Sequence, residues 1–373
     1  MNEPGMTTPR PSHHVRISTP GRVCLFGEHQ DYLELPVIPC AISLRITMDA
    51  TSIPAREARI HLPDIGREER FGLAGRVPYT VERDYFRSAA NVMLRHGYTY
   101  AGGIEAVVHG EIPINAGTSS SSALIVTWIG VLARLSDQRV SLDPDSCARL
   151  AHEAEVLEFG EPGGMMDHFS TAYGGVVAIE FHPSIKLSPL PAALKTFVLG
   201  DSGEPKDTKG ILARVKDRVV DASQLLCVEQ PGFSLQTADE SDIDAFSGVL
   251  DASQRVLLRG TLRNHAITTT ALGLLSAPAV DHEAVGRLLT EHQAVLRDVL
   301  RISTPKIDRM LDAALKAGAV GGKINGSGGG GCMFAYAPEH PERVAEAVER
   351  EGGKAYVITA DVGTRLEALE VRD

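Results

Sequence analysis

The sequence has no run of Lys or Arg, and aromatic residues make up only 5% of its 373 positions. Its formal net charge is −11 and its pI is near 5.6. A nucleic-acid binder shows the opposite balance or at least a basic patch, so nucleic acid is excluded as the expected partner. No stretch approaches the roughly 18–20 apolar residues of a membrane span. The first 20 residues contain His, Arg and Pro but no apolar core, which excludes a secretory signal. The five cysteines (Cys24, Cys40, Cys147, Cys227 and Cys332) are scattered with no CxxC pair. Neither a zinc site nor a disulfide framework is expected, and free thiols in a reducing cytoplasm are. Apolar material is not lacking: 43% of residues are hydrophobic and 23% charged, which suits globular cores and not a disordered chain. The length suits two lobes.

Glycine is abundant, with 36 residues and no collagen period, and much of it is clustered. Residues 1–14 read as a disordered leader. Strands are expected over residues 15–18, 23–26, 37–48, 103–110, 174–181, 197–200, 332–337 and 355–359. Apolar residues at three- and four-residue spacing predict helices over 80–97, 123–135, 144–159, 209–226 (capped by Asp207 or Thr208), 244–258, 284–299, 307–317 and 341–351. Three prolines within residues 183–191 mark a linker or lobe boundary. The elements do not alternate as βαβ units. The expected fold class is therefore α+β in two lobes, residues 15–190 and 191–373.

Three clusters carry chemistry. Asn115-Ala116-Gly117-Thr118-Ser119-Ser120-Ser121-Ser122 opens an apolar helix. Small side chains let backbone N–H groups approach an anion, the helix N-terminus favours negative charge, and serine hydroxyls reach phosphate or a magnesium ion. The GK[ST] ending of the Walker loop is absent, and so is G-x-G-x-x-G. Gly326-Ser327-Gly328-Gly329-Gly330-Gly331-Cys332 lies between two apolar runs. So many glycines cost conformational entropy, which is justified where something lies directly on the backbone. Arg22 and Gly27-Glu28-His29-Gln30-Asp31-Tyr32 form a knot of charged and polar groups after an apolar strand, the composition of a site for a polar small molecule. A further segment holds Glu155 on a helix and Gly163-Gly164-Met165-Met166-Asp167-His168 beyond it. Carboxylates from two neighbouring elements suit one metal ligand and one base.

Taken together, these motifs resemble the superfamily of galactokinase, homoserine kinase, mevalonate kinase and phosphomevalonate kinase, the GHMP kinases, from about residue 15 to the C-terminus. Gly21-Arg22, Gly27-Glu28-His29-x-Asp31-Tyr32 and Gly164-Met165-Met166-Asp167 are similar to galactokinase segments. Gly328 to Gly331, and Asp201-Ser202-Gly203 with Lys206, look more like mevalonate kinase. Cys24 and Leu33-Glu34-Leu35 depart from the galactokinase pattern.

The resemblance implies an N-terminal ribosomal-protein-S5-like lobe, a C-terminal ferredoxin-like lobe, and an ATP-dependent kinase with Mg²⁺. Asn115, Ala116, Gly117, Thr118, Ser119, Ser120 and Ser121, with Gly328 and Gly329, would bind ATP. Ser121 and Glu155 would hold the metal. Asp167 would act as base or orienter, and Arg22 would stabilise developing charge. Glu28, His29, Asp31, Tyr32 and Gly164 would bind the acceptor. The expected reaction is phosphorylation of a sugar hydroxyl, most like galactokinase. A mevalonate-like alcohol acceptor and a non-catalytic sugar sensor remain open alternatives at this point.

Overall fold

The computed structural model describes residues 12–161, 163–206, 210–211, 213–245 and 248–372. The first lobe is organised around a six-stranded sheet in the order β12-β1-β2-β5-β3-β4. Its strands are β1 (Ser12–Phe26), β2 (Ile38–Ile53), β3 (Glu57–Leu62), β4 (Arg67–Gly72), β5 (Gly103–Gly110) and β12 (Arg365–Arg372). All pairs are antiparallel except β3 with β5. Helices α1 (Tyr85–Arg95), α2 (Ser120–Leu135), α3 (Pro144–Glu155) and α4 (Met166–Tyr173) belong to the same lobe, and α2 and α4 pack directly on β1 and β2. The fully buried Trp128 centres this core and donates from Nε1 to the Phe86 carbonyl at 3.1 Å. A two-stranded ribbon, β6 (Val177–Glu180) with β7 (Lys186–Pro189), follows.

The second sheet has the order β11-β8-β10-β9, from β8 (Phe197–Asp201), β9 (Gly321–Ile324), β10 (Cys332–Tyr336) and β11 (Lys354–Ile358). In chain order it reads β8, then α9 (Pro305–Lys316), β9, β10, α10 (Pro341–Arg350) and β11, with both helices against the sheet. That succession and strand order are ferredoxin-like. Between β8 and α9 lie α5 (Arg218–Glu229), the short α6 (Asp242–Ala245), α7 (Ala252–Leu275) and α8 (His282–Ala294). A capping box between Asp251 and Gln254 starts α7. A third apolar cluster joins Val23, Leu25 and Phe26 of β1 to Phe197, Phe334 and Tyr336 of the second sheet, so the two lobes share buried surface.

Several expectations are corrected. Strand pairing begins at Ser12, inside the expected leader, and residues 1–11 lie outside the described residues. The two runs expected over residues 15–18 and 23–26 are one strand, carried through Pro20 and Gly21 by irregularities in its register with β2. The proline-rich 183–191 is not a plain linker, because it contains β7. The helix expected over 244–258 resolves into α6 and the longer α7. The cap expected at Asp207 or Thr208 lies outside the described residues. The final strand, within the stretch assigned to the second lobe, returns to pair with β1 of the first.

Candidate active site

A cleft of about 690 Å³ is lined by residues from both lobes. Arg22 sits near the end of β1 and is 4% exposed. Its Nε and Nη2 donate to Asp167 Oδ1 at 2.8 and 2.7 Å, and its Nη1 donates to the Gly117 carbonyl. One buried guanidinium therefore ties the acidic first turn of α4 to the small-residue loop before α2. Burial works against the ionised form of Asp167, but the positive charge of Arg22 overcomes it and holds the carboxyl below its ordinary value.

The small-residue loop takes an unusual course. Asn115, Gly117 and Ser119 have φ of 57°, 92° and 59°. Its backbone is pinned: the Thr118 carbonyl accepts from Arg22 N at 3.2 Å and the Ala116 carbonyl from Cys332 N at 2.8 Å. Ser119 Oγ is buried at the start of α2, whose first residue is Ser120, and its hydroxyl adds to the lowering of the Asp167 pKa. Asn115, Ser121 and Ser122 reach the cleft wall.

The glycine-rich segment packs on this loop. Asn325 accepts from Cys24 N and donates to the Gly117 carbonyl, both at 2.8 Å. A Cβ on Gly331 would stand 2.7 Å from the Ala116 carbonyl oxygen, so the two backbones meet where only glycine fits. Gly326 and Ser327 line the cleft. Gly328 and Gly329 instead contact Ile302, and Gly329 N donates to its carbonyl at 2.7 Å.

The expected acceptor residues come together at the other end. Asp31 opens a single 3₁₀ turn, Asp31–Leu33. A Cβ on Gly164 would lie 2.0 Å from Asp31 Oδ2, so any larger residue there would push the Asp31 carboxylate aside. Burial and then the neighbouring Asp167 raise the Asp31 pKa to about 6. His29 Nε2 faces the Ser327 carbonyl at 3.0 Å and its Nδ1 faces Tyr32 Oη at 2.8 Å. A carbonyl only accepts, so Nε2 carries the proton and the tyrosine hydroxyl donates to Nδ1. Burial depresses the His29 pKa, keeping that ring neutral.

Glu28 was expected among the acceptor ligands, and both its oxygens already have partners. Lys323 Nζ donates to Oε2 at 2.7 Å and Gly326 N to Oε1 at 3.1 Å. The ammonium is fully buried and saturated, since it also donates to the Cys24 and Ile324 carbonyls, each at 2.8 Å. Sequence reasoning assigned no role to Lys323. A lysine inside a four-residue strand buried throughout was the available signal.

Glu155, at the end of α3, accepts from His168 Nε2 at 2.8 Å, with the two side chains 12% and 2% exposed. Burial opposes its ionised form, but the imidazole and the hydroxyls of Ser121 and Ser122 hold its pKa below the ordinary value. His168 and Lys206 line the cleft without having been assigned roles. Among the described residues no group of three or more His, Cys, Asp or Glu side chains could hold a metal alone. No helix among them is long and apolar enough to cross a membrane. All five cysteines are free.

Comparison with known proteins then places the chain. The profile for the GHMP kinases N terminal domain matches residues 84–175, that for GHMP kinases C terminal matches 276–355, and the galactokinase galactose-binding signature matches 9–51. The chain belongs to the GHMP kinases. Among its relatives, the mevalonate kinase of Pyrococcus furiosus is 29% identical, with 91% of this chain and 94% of that protein covered. The galactokinase of the same organism is 26% identical, covering 90% and 93%. Among solved structures, Lactococcus lactis galactokinase complexed with galactose superposes with a TM-score of 0.83 at 23% identity, over 94% of this chain and 95% of that one. The GHMP kinase fold expected from sequence is thus the observed fold.

Proposed function

We propose that this GHMP kinase transfers the γ-phosphate of ATP to a hydroxyl of a sugar, in the manner of a galactokinase. The Arg22–Asp167 pair carries the reading, because it stands where the serine loop, the N-terminus of α4 and Asp31 converge on one cleft. Phosphoryl transfer needs positioning and charge neutralisation more than covalent chemistry. In this proposal the backbone of the loop from Asn115 to Ser121 receives the phosphates. Arg22 offsets negative charge that develops on the transferring group. Asp167, kept ionised, orients the attacking hydroxyl or takes its proton. Asp31, His29 and Tyr32 bind the acceptor's other hydroxyls, and the galactose-binding signature spans all three. Glu28 shapes that wall through Lys323 and Gly326.

Ser121 and Glu155 suit Mg²⁺, a hard cation that takes oxygen ligands and usually completes its shell with substrate phosphates. The ion would neutralise phosphate charge. A mevalonate-like alcohol is the second reading, favoured by Lys206, an ammonium group in the same cleft, whose pKa is lowered by burial and then by Arg22.

An ADP-release assay over free sugars and mevalonate, with the product read by phosphorus NMR, tests the assignment. Turnover of at least one aldose is expected, and Asp167→Asn should reduce it by about 100-fold or more. Turnover of mevalonate alone would replace the sugar reading with the second one.

A further inference from the structure

The imidazole beside Glu155 has a role that the phosphate loop and the Arg22–Asp167 pair do not supply. Glu155 closes α3 and His168 lies in the first turn of α4, so the two meet across a helix pair. Their contact is short and almost wholly removed from water, at 2.8 Å with His168 2% exposed. An ionised carboxylate only accepts, so Nε2 carries the proton. Nδ1 is buried and has no hydrogen-bond partner. The ring of His152 meets that of His168 edge-on, with centroids 5.2 Å apart. Burial and then His168 depress the His152 pKa to about 4, so His152 stands neutral against its neighbour. The imidazole is thus wedged between His152 and Glu155 and directs its Nε2–H at one oxygen of the carboxylate.

We infer that His168 is a positioning residue for Glu155, fixing the carboxyl beside Ser121 in the cleft wall for the divalent cation of a metal–nucleotide complex. The inference rests on the kinase reading above. It does not depend on which acceptor is phosphorylated. Partners that orient a ligating group typically govern metal affinity by about 10–100-fold. His168 needs no contact with nucleotide or sugar to act in this way.

The test uses the full chain with Mn²⁺ as probe. Binding of Mn²⁺ in the presence of ADP is followed by the loss of the free-ion paramagnetic resonance signal, alongside the Mg²⁺ dependence of turnover. His168→Ala should weaken Mn²⁺–ADP binding by about tenfold or more and raise the half-saturating Mg²⁺ concentration in parallel, with the acceptor KM unchanged. His168→Gln keeps an N–H donor and should recover most of the loss. If His168→Ala fails to fold, as judged by its thermal midpoint, the comparison of His168→Gln with His168→Leu carries the same expectation. Unchanged Mn²⁺ affinity in a folded donor-less variant, or an equal loss in the Gln variant, overturns the inference. Failure of the wild-type chain to bind Mn²⁺–ADP at all would instead overturn the kinase reading.

Discussion

At the residue scale the site works by giving adjacent carboxylates opposite treatment. Asp167 is held ionised by Arg22, whereas Asp31, buried beside it, is raised to about 6. The folded chain therefore holds the Asp31 proton more tightly than the unfolded chain, where an ordinary value of 3.8 applies. Wherever the native state binds more protons, stability falls as pH rises, so ionising Asp31 costs stability between about pH 4 and 6, and the full cost persists above that window. Asp31→Asn should accordingly raise the thermal midpoint at pH 7, with the gain shrinking toward pH 4, while acceptor KM rises and ATP KM stays. Thermal melts across that range check it. A gain independent of pH would remove the electrostatic cause.

The same scale shows what was legible in the chain. Arg22, Asp31 and Asp167 stand inside short motifs whose composition already points to a polar ligand, and they do converge on one cleft. His168 stands inside such a motif too, but its partner Glu155 is 13 residues away on another helix, and spacing alone gives no sign of that contact. Lys323 is harder still, since Glu28 lies 295 positions off and only the fold brings them together.

At the scale of elements, that lysine joins the end of β1 to β9 and the glycine segment. The pair is 0% and 3% exposed, and each charge has further hydrogen bonds, so the assembly is satisfied only as a whole. Removing one partner leaves an uncompensated buried charge, which costs about 3–5 kcal/mol, whereas replacing both is often close to neutral. Lys323→Met should therefore lower unfolding stability in urea by about that amount, and Lys323→Met with Glu28→Gln should recover much of it. Additive losses in the double variant would mean that the two side chains do not act as a pair. Elements with strong apolar patterns were legible, as α2 and β5 are. The strand β4 was not, because Arg67–Gly72 is rich in charge at the sheet's outer edge and carries too few apolar residues for alternation to stand out, whereas Ala58, Ile60 and Leu62 of β3 do alternate, in a run of only six residues.

At the scale of the whole molecule, the chain closes on itself. β12 pairs with β1 from Ser12↔Arg372 to Ser18↔Arg365, and Ser18 Oγ donates to Glu367 Oε1 at 2.6 Å. Just before that strand, the buried Arg45 of β2 donates to Asp361 at 2.7 Å and to the Val362 and Gly363 carbonyls at 3.0 and 2.7 Å. The register of β12 ends four residues before Arg22, so the strand supports the sheet and not the guanidinium's contacts directly. Ending the chain after Thr364 would keep the Arg45 contacts and strip β1 of its outer partner, exposing unpaired N–H and C=O groups to other chains. The truncated chain should melt lower, on the order of 5 °C, and aggregate on heating, while turnover per folded molecule at low temperature stays near that of the full chain. Active-site titration alongside calorimetry separates these quantities. A fall in turnover per folded molecule with the melting temperature unchanged would mean that β12 acts on the cleft through β1, and that sheet closure and catalysis are coupled along that strand.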